Sequence, residues 1–176
     1  MKTRAIIKRL VGSWQLAVGS CLLLAACTGG YSFTGASIPP DAKTISVATF
    51  PNYAPTVNPQ LSQQLTDALI QMFSSQTSLN VTSDEGDLQV SGQITGYETR
   101  ASALSSSDEV SMNRLTVTVK VKFVNQKDPE ADFEQSFSRY RDYAASLDFS
   151  SVESGLVAEI VTELCEDIFN KAVVNW

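Results

Sequence analysis

The 176-residue sequence contains no histidine and only three cysteines. The absence of histidine excludes Ser-His-Asp and Cys-His catalysis and the usual zinc sites. Three hydroxyl-rich stretches occur, but no base is present to activate them, and no pair of carboxylates suggests acid/base catalysis. We therefore predict a protein that is not an enzyme and that holds no metal and no dissociable cofactor.

Positive charge is also scarce, with 13 lysines and arginines against 19 acidic residues. Four of the cations lie within the first nine residues, at Lys2, Arg4, Lys8 and Arg9. Beyond that segment nine basic residues face nineteen acidic ones, a net charge of −10. An acidic body of this kind argues against nucleic acid as the main partner.

Long apolar runs are missing, because the stretch from Leu10 to Ala26 is short for a membrane span and is interrupted by polar residues. Cations followed by such a stretch are typical of an export signal. The stretch ends in Leu24-Ala25-Ala26-Cys27, which resembles the lipobox of bacterial lipoproteins. The resemblance implies cleavage before Cys27, a diacylglycerol thioether on its sulfur and acylation of its new amino group. An ordinary signal with a chance cysteine, or an uncleaved anchor, are the alternatives.

These features predict three segments: a lipoprotein signal peptide over 1–26, a lipidated tether over 27–40, and one domain over 41–176. Two or three acyl chains hold a protein firmly on a membrane. Cys21 would leave with the signal. Cys165 lies in an apolar helical pattern and is predicted to be a buried, inert thiol, with no intrachain disulfide possible once Cys27 is lipidated.

The strand pattern is clearest over residues 115–123, where apolar and polar residues alternate strictly. Further strands are predicted over 43–50, 88–94 and 133–143, the last with a bulge near Arg139. Gly92 and Gly96 are expected to mark a bulge or a close packing contact. Strict alternation indicates a sheet with one covered face and one polar face.

Two amphipathic helices complete the pattern. The first begins at Asn58-Pro59, a capping residue followed by proline at the first helical position. The second is predicted to begin with a capping box formed by Ser150 and Glu153. The element order β-α-β-β-β-α predicts an α+β two-layer sandwich, with two helices on one face of a four-stranded, mostly antiparallel sheet.

Two polar features are candidates for binding. The acidic turn Ser-Asp-Glu-Gly-Asp at 83–87 lacks the ligand spacing of an EF-hand, so we interpret it as a solvated turn. The polar sheet face is the stronger candidate, because most of the basic residues of the domain lie on or near its strands. An uncovered face with clustered cations suits a phosphorylated glycolipid or an acidic protein wall, although a plain solvated face is the alternative. The candidate residues are Arg100, Arg114, Lys120, Lys122, Arg139 and Arg141.

The chain also resembles the LptE family of lipopolysaccharide-assembly lipoproteins. The resemblance rests on the lipobox, on GYSFTGASIPPDAKTISVATFPNYA at 30–54, on NPQLSQQLTDALIQMF at 58–73, and on VSGQITGYE at 90–98. It implies two helices against a four-stranded sheet, anchored in the outer membrane on its periplasmic side. Thr28, which follows the predicted lipidated cysteine, weakly favours this location, because some bacteria use aspartate there for retention in the inner membrane.

The resemblance further implies a partner, the LptD β-barrel, which such proteins plug at 1:1 and help to assemble, and a ligand, lipopolysaccharide. Basic residues near a strand-connecting loop serve lipopolysaccharide binding in members of the family, whereas the corresponding loop here, 102–111, is acidic. The alternative is a periplasm-facing lipoprotein that activates a cell-wall synthase or serves another secretion complex.

Overall fold

The computed structural model describes residues 38–39, 41–56, 58–103 and 111–173. All of them lie within one compact unit, residues 36–176. The described elements, in chain order, are β1 (Thr44–Val47), α1 (Leu61–Gln76), β2 (Asn80–Thr82), β3 (Leu88–Ala103), β4 (Met112–Asn125), a short 3-10 turn (Pro129–Ala131), β5 (Phe133–Ala144) and α2 (Phe149–Val173).

The sheet has five strands in the order β2-β1-β3-β4-β5. β1 runs parallel to both of its neighbours, whereas β3, β4 and β5 form an antiparallel meander. The predicted fold class is confirmed, but the predicted number of four strands is wrong. The missed strand, β2, has three residues. An alternating pattern cannot be recognised over three residues, so this strand is defined only by its pairing with β1.

The core lies between the sheet and the two helices. Every second side chain of β4, from Leu115 to Phe123, is buried on the helical side. Helix α1 contributes Leu61, Leu65, Leu69 and Phe73, and the rings of Phe73 and Phe169 of α2 approach to 5.3 Å between centroids. Removing such side chains from water supplies about 1.5–3 kcal/mol each. The apolar stripes of the helices and the alternation of β4 therefore meet as predicted.

The start of α1 matches the predicted cap, whereas the start of α2 does not. The backbone N–H groups of Gln60 and Leu61 donate to Oδ1 of Asn58 at 3.0 and 3.1 Å. At α2 the expected capping box is wrong, because Asp148 accepts from the Ser150 N–H at 3.0 Å. Glu153 points elsewhere and accepts hydrogen bonds from the Asn58 side chain, at 2.8 Å, and from the Tyr97 hydroxyl.

The contact of Glu153 with Tyr97 and Asn58 joins α2, β3 and the start of α1. Tyr97 is almost fully buried, and burial together with the hydrogen bond to Glu153 raises the pKa of its hydroxyl well above the usual range. The hydroxyl therefore remains a donor at any physiological pH. The Glu153 carboxylate, which the sequence predicted to cap α2, thus provides the hydrogen-bond acceptor for Tyr97 and for the Asn58 side chain.

The bulges lie in β3 and not in β5. The register of β3 against β4 shifts between Ile94 and Gly96, and again between Ala101 and Ala103. The expected bulge near Arg139 is wrong, because β5 pairs with β4 without a shift over its whole length. The apolar pattern of β5 breaks there for another reason. Arg139 and Arg141 occupy helix-facing positions that an apolar residue would normally take.

Gly92 is a packing position, as expected. A Cβ atom there would lie 2.3 Å from the Lys120 carbonyl oxygen and 2.6 Å from the Phe50 ring. Since the first of these neighbours is backbone of the adjacent strand, it cannot move aside. The ring of Phe50, itself fully buried, therefore fills the space that the missing side chain leaves.

We predict that Gly92→Ala lowers the free energy of unfolding by about 1–3 kcal/mol through overpacking. Gly155, exposed on α2 with no atom within 4 Å of its virtual Cβ, is the matched control. Gly155→Ala should raise stability by about 0.5–1 kcal/mol. Urea unfolding of the two variants tests the pair, and equal effects would contradict the packing account.

Candidate interaction surface on the open face of the sheet

The side of the sheet opposite the helices is polar across β3, β4 and β5. The strand register places its side chains in rows, each with one residue from every strand. From one end of the sheet to the other the rows are Arg100–Arg114–Asp142, Glu98–Thr116–Tyr140, Gly96–Thr118–Ser138, Gln93–Lys120–Ser136 and Ser91–Lys122–Glu134. We refer to these residues as the open face.

The six predicted cations do not share this surface. Four of them, Arg100, Arg114, Lys120 and Lys122, lie on the open face. The other two lie on the helical side, since Arg139 pairs with the buried Val117 and Arg141 with the buried Leu115. Side chains along a strand alternate between faces, so the pairing partner decides the side. The sequence expectation of one common cationic face is therefore wrong for these two arginines.

Arg139 and Arg141 connect the edge of the sheet to α2. Arg139 forms a two-pronged ion pair with Asp167, with both N–O distances at 2.6 Å. Arg141 contacts Glu159 at 2.6 Å and Glu163 at 2.6 and 3.1 Å. These charge-assisted hydrogen bonds hold the pKa of the Glu163 carboxyl below its usual range. The carboxylates recur every four residues on α2, which is the sequence signal that could have indicated this contact.

On the open face, Arg114 is held in place by two neighbours on β5. Its guanidinium donates to both oxygens of Asp142, at 2.7 and 2.9 Å. It also lies 3.7 Å from the centre of the Tyr140 ring, in a cation–π contact. The ion pair with Arg114 lowers the pKa of the Asp142 carboxyl. The Arg114 guanidinium is therefore held in a fixed position on the open face.

The remaining open-face cations differ in how they are paired. Arg100 contacts Glu98 at 2.8 Å, and Lys120 forms an ion pair with Glu134, whose pKa is lowered as a result. Lys122 is exposed and has no ion-pair partner among the described residues. Three carboxylates thus offset three of the four cations. The open face is close to neutral, with Lys122 as its most available positive group.

Between its charged ends, the open face carries a stripe of hydroxyl groups. The Thr118 and Ser138 hydroxyls lie 3.0 Å apart, and the Thr95 hydroxyl donates to the Thr118 carbonyl at 3.3 Å. Gly96 adds no side chain beside them, and its virtual Cβ would lie 3.2 Å from Cβ of Thr118. This arrangement can hydrogen-bond hydroxylated or phosphorylated groups, but it contains no nucleophile paired with a base.

The acidic turn has a structural role at Asp87. Its carboxylate accepts hydrogen bonds from the Lys43 N–H at 2.9 Å and from the Thr44 N–H and hydroxyl at 3.1 and 3.0 Å. The Lys127 ammonium lies 2.9 Å away. The Lys43 N–H, followed by Lys127, holds the pKa of this carboxyl well below its usual range. Asp84 and Glu85 remain exposed, as a solvated turn predicts, whereas Asp87 fastens the start of β1 to the β4–β5 connection.

The remaining expectations concern metal binding, the cysteines and the membrane. Within the described residues no group of three or more potential metal ligands occurs. Cys165 is fully buried, and burial raises the pKa of its thiol to about 12, in agreement with the predicted inert side chain. No helix in the described ranges is both long enough and apolar enough to cross a membrane. Cys27, the tether before residue 38 and loop residues 104–110 lie outside the described residues.

The comparison with protein families matches residues 42–172 to the family model described as LptE, lipopolysaccharide-assembly. This range covers both helices almost completely and all five strands. The chain belongs to the LptE family. The sequence resemblance is thereby confirmed. No curated protein matches the chain.

Solved structures agree on the fold of this LptE-family domain. Rare lipoprotein B from Shewanella oneidensis superposes with a TM-score of 0.53 at 14% identity, covering 73% of this chain and 92% of that one. A hypothetical protein from Chlamydia trachomatis also gives 0.53, at 7% identity, covering 76% and 99%. At such low identity these similarities establish the shared fold and nothing about binding.

The lowered pKa of Asp87 makes its contribution to the stability of the fold depend on pH. Because its folded-state pKa lies below the ordinary value of 3.8, its contribution to stability is complete above that pH and is lost as pH falls further. The stability difference between the native protein and Asp87→Asn should therefore shrink as pH is lowered from about 6 to about 2.5. Denaturant unfolding of both proteins at a series of pH values measures this stability difference.

Asp84→Asn is the matched control, because this exposed carboxylate accepts no hydrogen bond from the described part of the chain. A pH-independent difference for Asp87→Asn, or the same convergence in the control, would contradict the role assigned to Asp87.

Proposed function

We propose that this LptE-family chain is a non-enzymatic outer-membrane lipoprotein that plugs the LptD β-barrel and helps to assemble it. Its partner would be the barrel at 1:1, and its task the transport and insertion of lipopolysaccharide into the outer leaflet. The family match over residues 42–172 is the observation that carries this proposal. The same match favours the barrel partner over the alternative of a cell-wall synthase.

The proposed anchor is the lipid on Cys27, on the periplasmic side of the outer membrane. Ten residues separate Cys27 from Ile38, the first residue described, and Gly, Ser and Thr are frequent among them. Such a composition is typical of linkers, so we propose that this segment tethers the domain to its lipid anchor. It would keep the domain at high effective concentration beside a barrel in the same membrane.

The surface of the domain is compatible with the lumen of a barrel. The lumen of large outer-membrane barrels is polar and wet, so a plug needs polar outer surfaces. The open face supplies hydroxyls and paired charges, and α2 supplies the carboxylates that bind Arg139 and Arg141 at the edge of the sheet. Hydrophobic burial is confined to the layer between sheet and helices.

We further propose that lipopolysaccharide contacts the open face, through its phosphate groups and sugar hydroxyls. Lys122 is the leading candidate because it is exposed and unpaired with any described residue, and Lys120, Arg100 and Arg114 flank the hydroxyl stripe. Arg139 and Arg141 are not included, since their guanidinium groups are bound by α2. Ammonium and guanidinium groups bind phosphate through charge-assisted hydrogen bonds.

The partner can be tested by purifying the tagged protein from detergent-solubilised outer membranes. We expect a large β-barrel protein to co-purify at about 1:1, and depletion of the lipoprotein to remove lipopolysaccharide from the cell surface. Replacing Cys27 with alanine should reduce recovery, because the high local concentration is lost. Recovery of a penicillin-binding protein in place of the barrel would contradict the proposal.

The ligand can be tested with the double variant Lys120→Glu, Lys122→Glu and purified lipopolysaccharide. We expect its affinity to fall about tenfold, which corresponds to about 1.4 kcal/mol. The matched control, Lys43→Glu with Lys171→Glu, reverses two exposed lysines away from the open face and should leave the affinity within about twofold. Equal losses would indicate a general charge effect, and no loss would exclude the open face while leaving the plug role intact.

A further inference from the structure

The sheet ends on one side in a long strand with an unused edge. β5 has twelve residues, about 40 Å of backbone, and is the outer strand of the sheet. One side of β5 pairs with β4, and within the described residues no strand pairs with its other side. The opposite edge of the sheet is formed by β2, which has only three residues. Unpaired backbone groups on a long edge are a template for another strand.

The register identifies which backbone groups of β5 are unused. The N–H and C=O groups of Ile94 bond to residues 51–53, so they point away from β4. In antiparallel strands, successive residues direct their backbone N–H and C=O groups to opposite neighbours. Following the register from β3 through β4 to β5, the odd-numbered residues of β5 direct these groups inward to β4. The even-numbered residues, from Glu134 to Asp142, direct their N–H and C=O groups outward. Among the partners that the described residues provide, the single one is an N–H of the Arg141 side chain, which donates to the Tyr140 carbonyl at 3.0 Å.

Several of the devices that usually protect an edge strand are absent from β5. Its sequence, FEQSFSRYRDYA, contains neither proline nor lysine, and its register with β4 has no bulge. Its two arginines are bound by Asp167, Glu159 and Glu163 of α2, and of the outward backbone groups Arg141 covers the Tyr140 carbonyl. The edge is therefore long and regular, and most of its outward backbone groups have no partner among the described residues.

The charge beside the edge indicates what would pair with it. On the helical side, three carboxylates of α2 surround two arginines, and the side chain of Glu159 remains 62% exposed. On the other side, β5 itself contributes Glu134 and Asp142 and no cation. Because Lys120 and Arg114 pair with these two carboxylates, five carboxylates stand against four cations along the edge, and the uncompensated negative charge lies on the helical side. This excess attracts a basic strand and disfavours a second copy of the same acidic edge.

We propose that β5 accepts an extended segment of another protein as a sixth strand, and that this segment carries basic residues at alternate positions. Backbone hydrogen bonds to the even-numbered residues of β5 would supply affinity, and lysine or arginine side chains facing Glu159 and Glu163 would supply selectivity. This interaction does not depend on the proposed barrel or lipopolysaccharide functions, because it uses the edge and not the open face.

The first test uses a nine-residue peptide of alternating lysine and valine with capped ends, added to the purified full chain. Amide hydrogen exchange should show the N–H groups of Ser136, Ser138 and Tyr140 unprotected in the free protein. The peptide should then slow their exchange at least tenfold, while a peptide of alternating glutamate and valine should not. Fast exchange at saturating lysine peptide, or protection before any peptide is added, would overturn the proposal.

The second test uses Ser136→Pro and its matched control Ser136→Ala. The Ser136 N–H points outward, so proline removes an edge donor without breaking a bond to β4. We expect proline to weaken binding of the lysine peptide at least tenfold and alanine to leave it within about twofold. Equal affinity of the two variants would contradict strand addition. Thermal unfolding checks that the proline variant is folded.

A third variant keeps the test decisive if proline prevents folding. Glu159→Lys leaves every backbone group of the edge in place and reverses one exposed charge on α2 beside the edge. We expect it to weaken the lysine peptide several-fold and to strengthen the glutamate peptide. Unchanged affinities would overturn the assigned selectivity, and a concentration-dependent dimer lost in Ser136→Pro would show that a second copy occupies the edge instead.

Discussion

The pairing register of the β3–β4–β5 meander is the constraint on which the rest of the structure depends. A strand turns successive side chains to opposite faces, so each cross-strand pair assigns both residues to the core or to the open face. The pairing of Leu115 with Arg141 sets an apolar residue and a charged one side by side on the helical layer. Helix α2 presents carboxylates at four-residue intervals, and these bind the arginines of β5.

Polar contacts between elements then determine how the layers are joined. Asn58 caps α1 and also reaches Glu153 on α2, while Glu153 accepts from Tyr97 on β3. Asp87 similarly joins the start of β1 to the turn after β4. Buried or half-buried polar groups cost free energy unless they are hydrogen-bonded, so such shared partners fix one relative placement of the elements.

The same constraints divide the surface into parts with different chemistry. The open face is nearly neutral and rich in hydroxyls, whereas the β5 edge beside α2 carries an excess of carboxylates. A near-neutral hydroxyl surface suits sugars and phosphates, and a long edge beside exposed carboxylates suits a basic strand. Two distinct interactions can therefore be carried by one small domain of the LptE family.

Much of this could be predicted from the sequence because it depends on local periodicity. The alternation from Leu115 to Phe123 and the apolar stripe of α1 indicated the two layers, and the cap at Asn58 was identified correctly. The three-residue β2 and the partner of Glu153 could not be predicted. Both are defined by contacts with residues far away in the chain, and no local pattern records such contacts.

The sequence by itself determined the fold class, the family and the residues able to carry charge, because periodicity, motif spacing and residue type are all local properties. Only the tertiary structure decided where the charges act. Arg139 and Arg141 appeared to belong with Lys120 and Lys122, yet their partners on β4 turn them to the helical side. The register of one strand against another is a long-range property, and it separated a predicted cationic patch into a neutral face and an ion-paired edge.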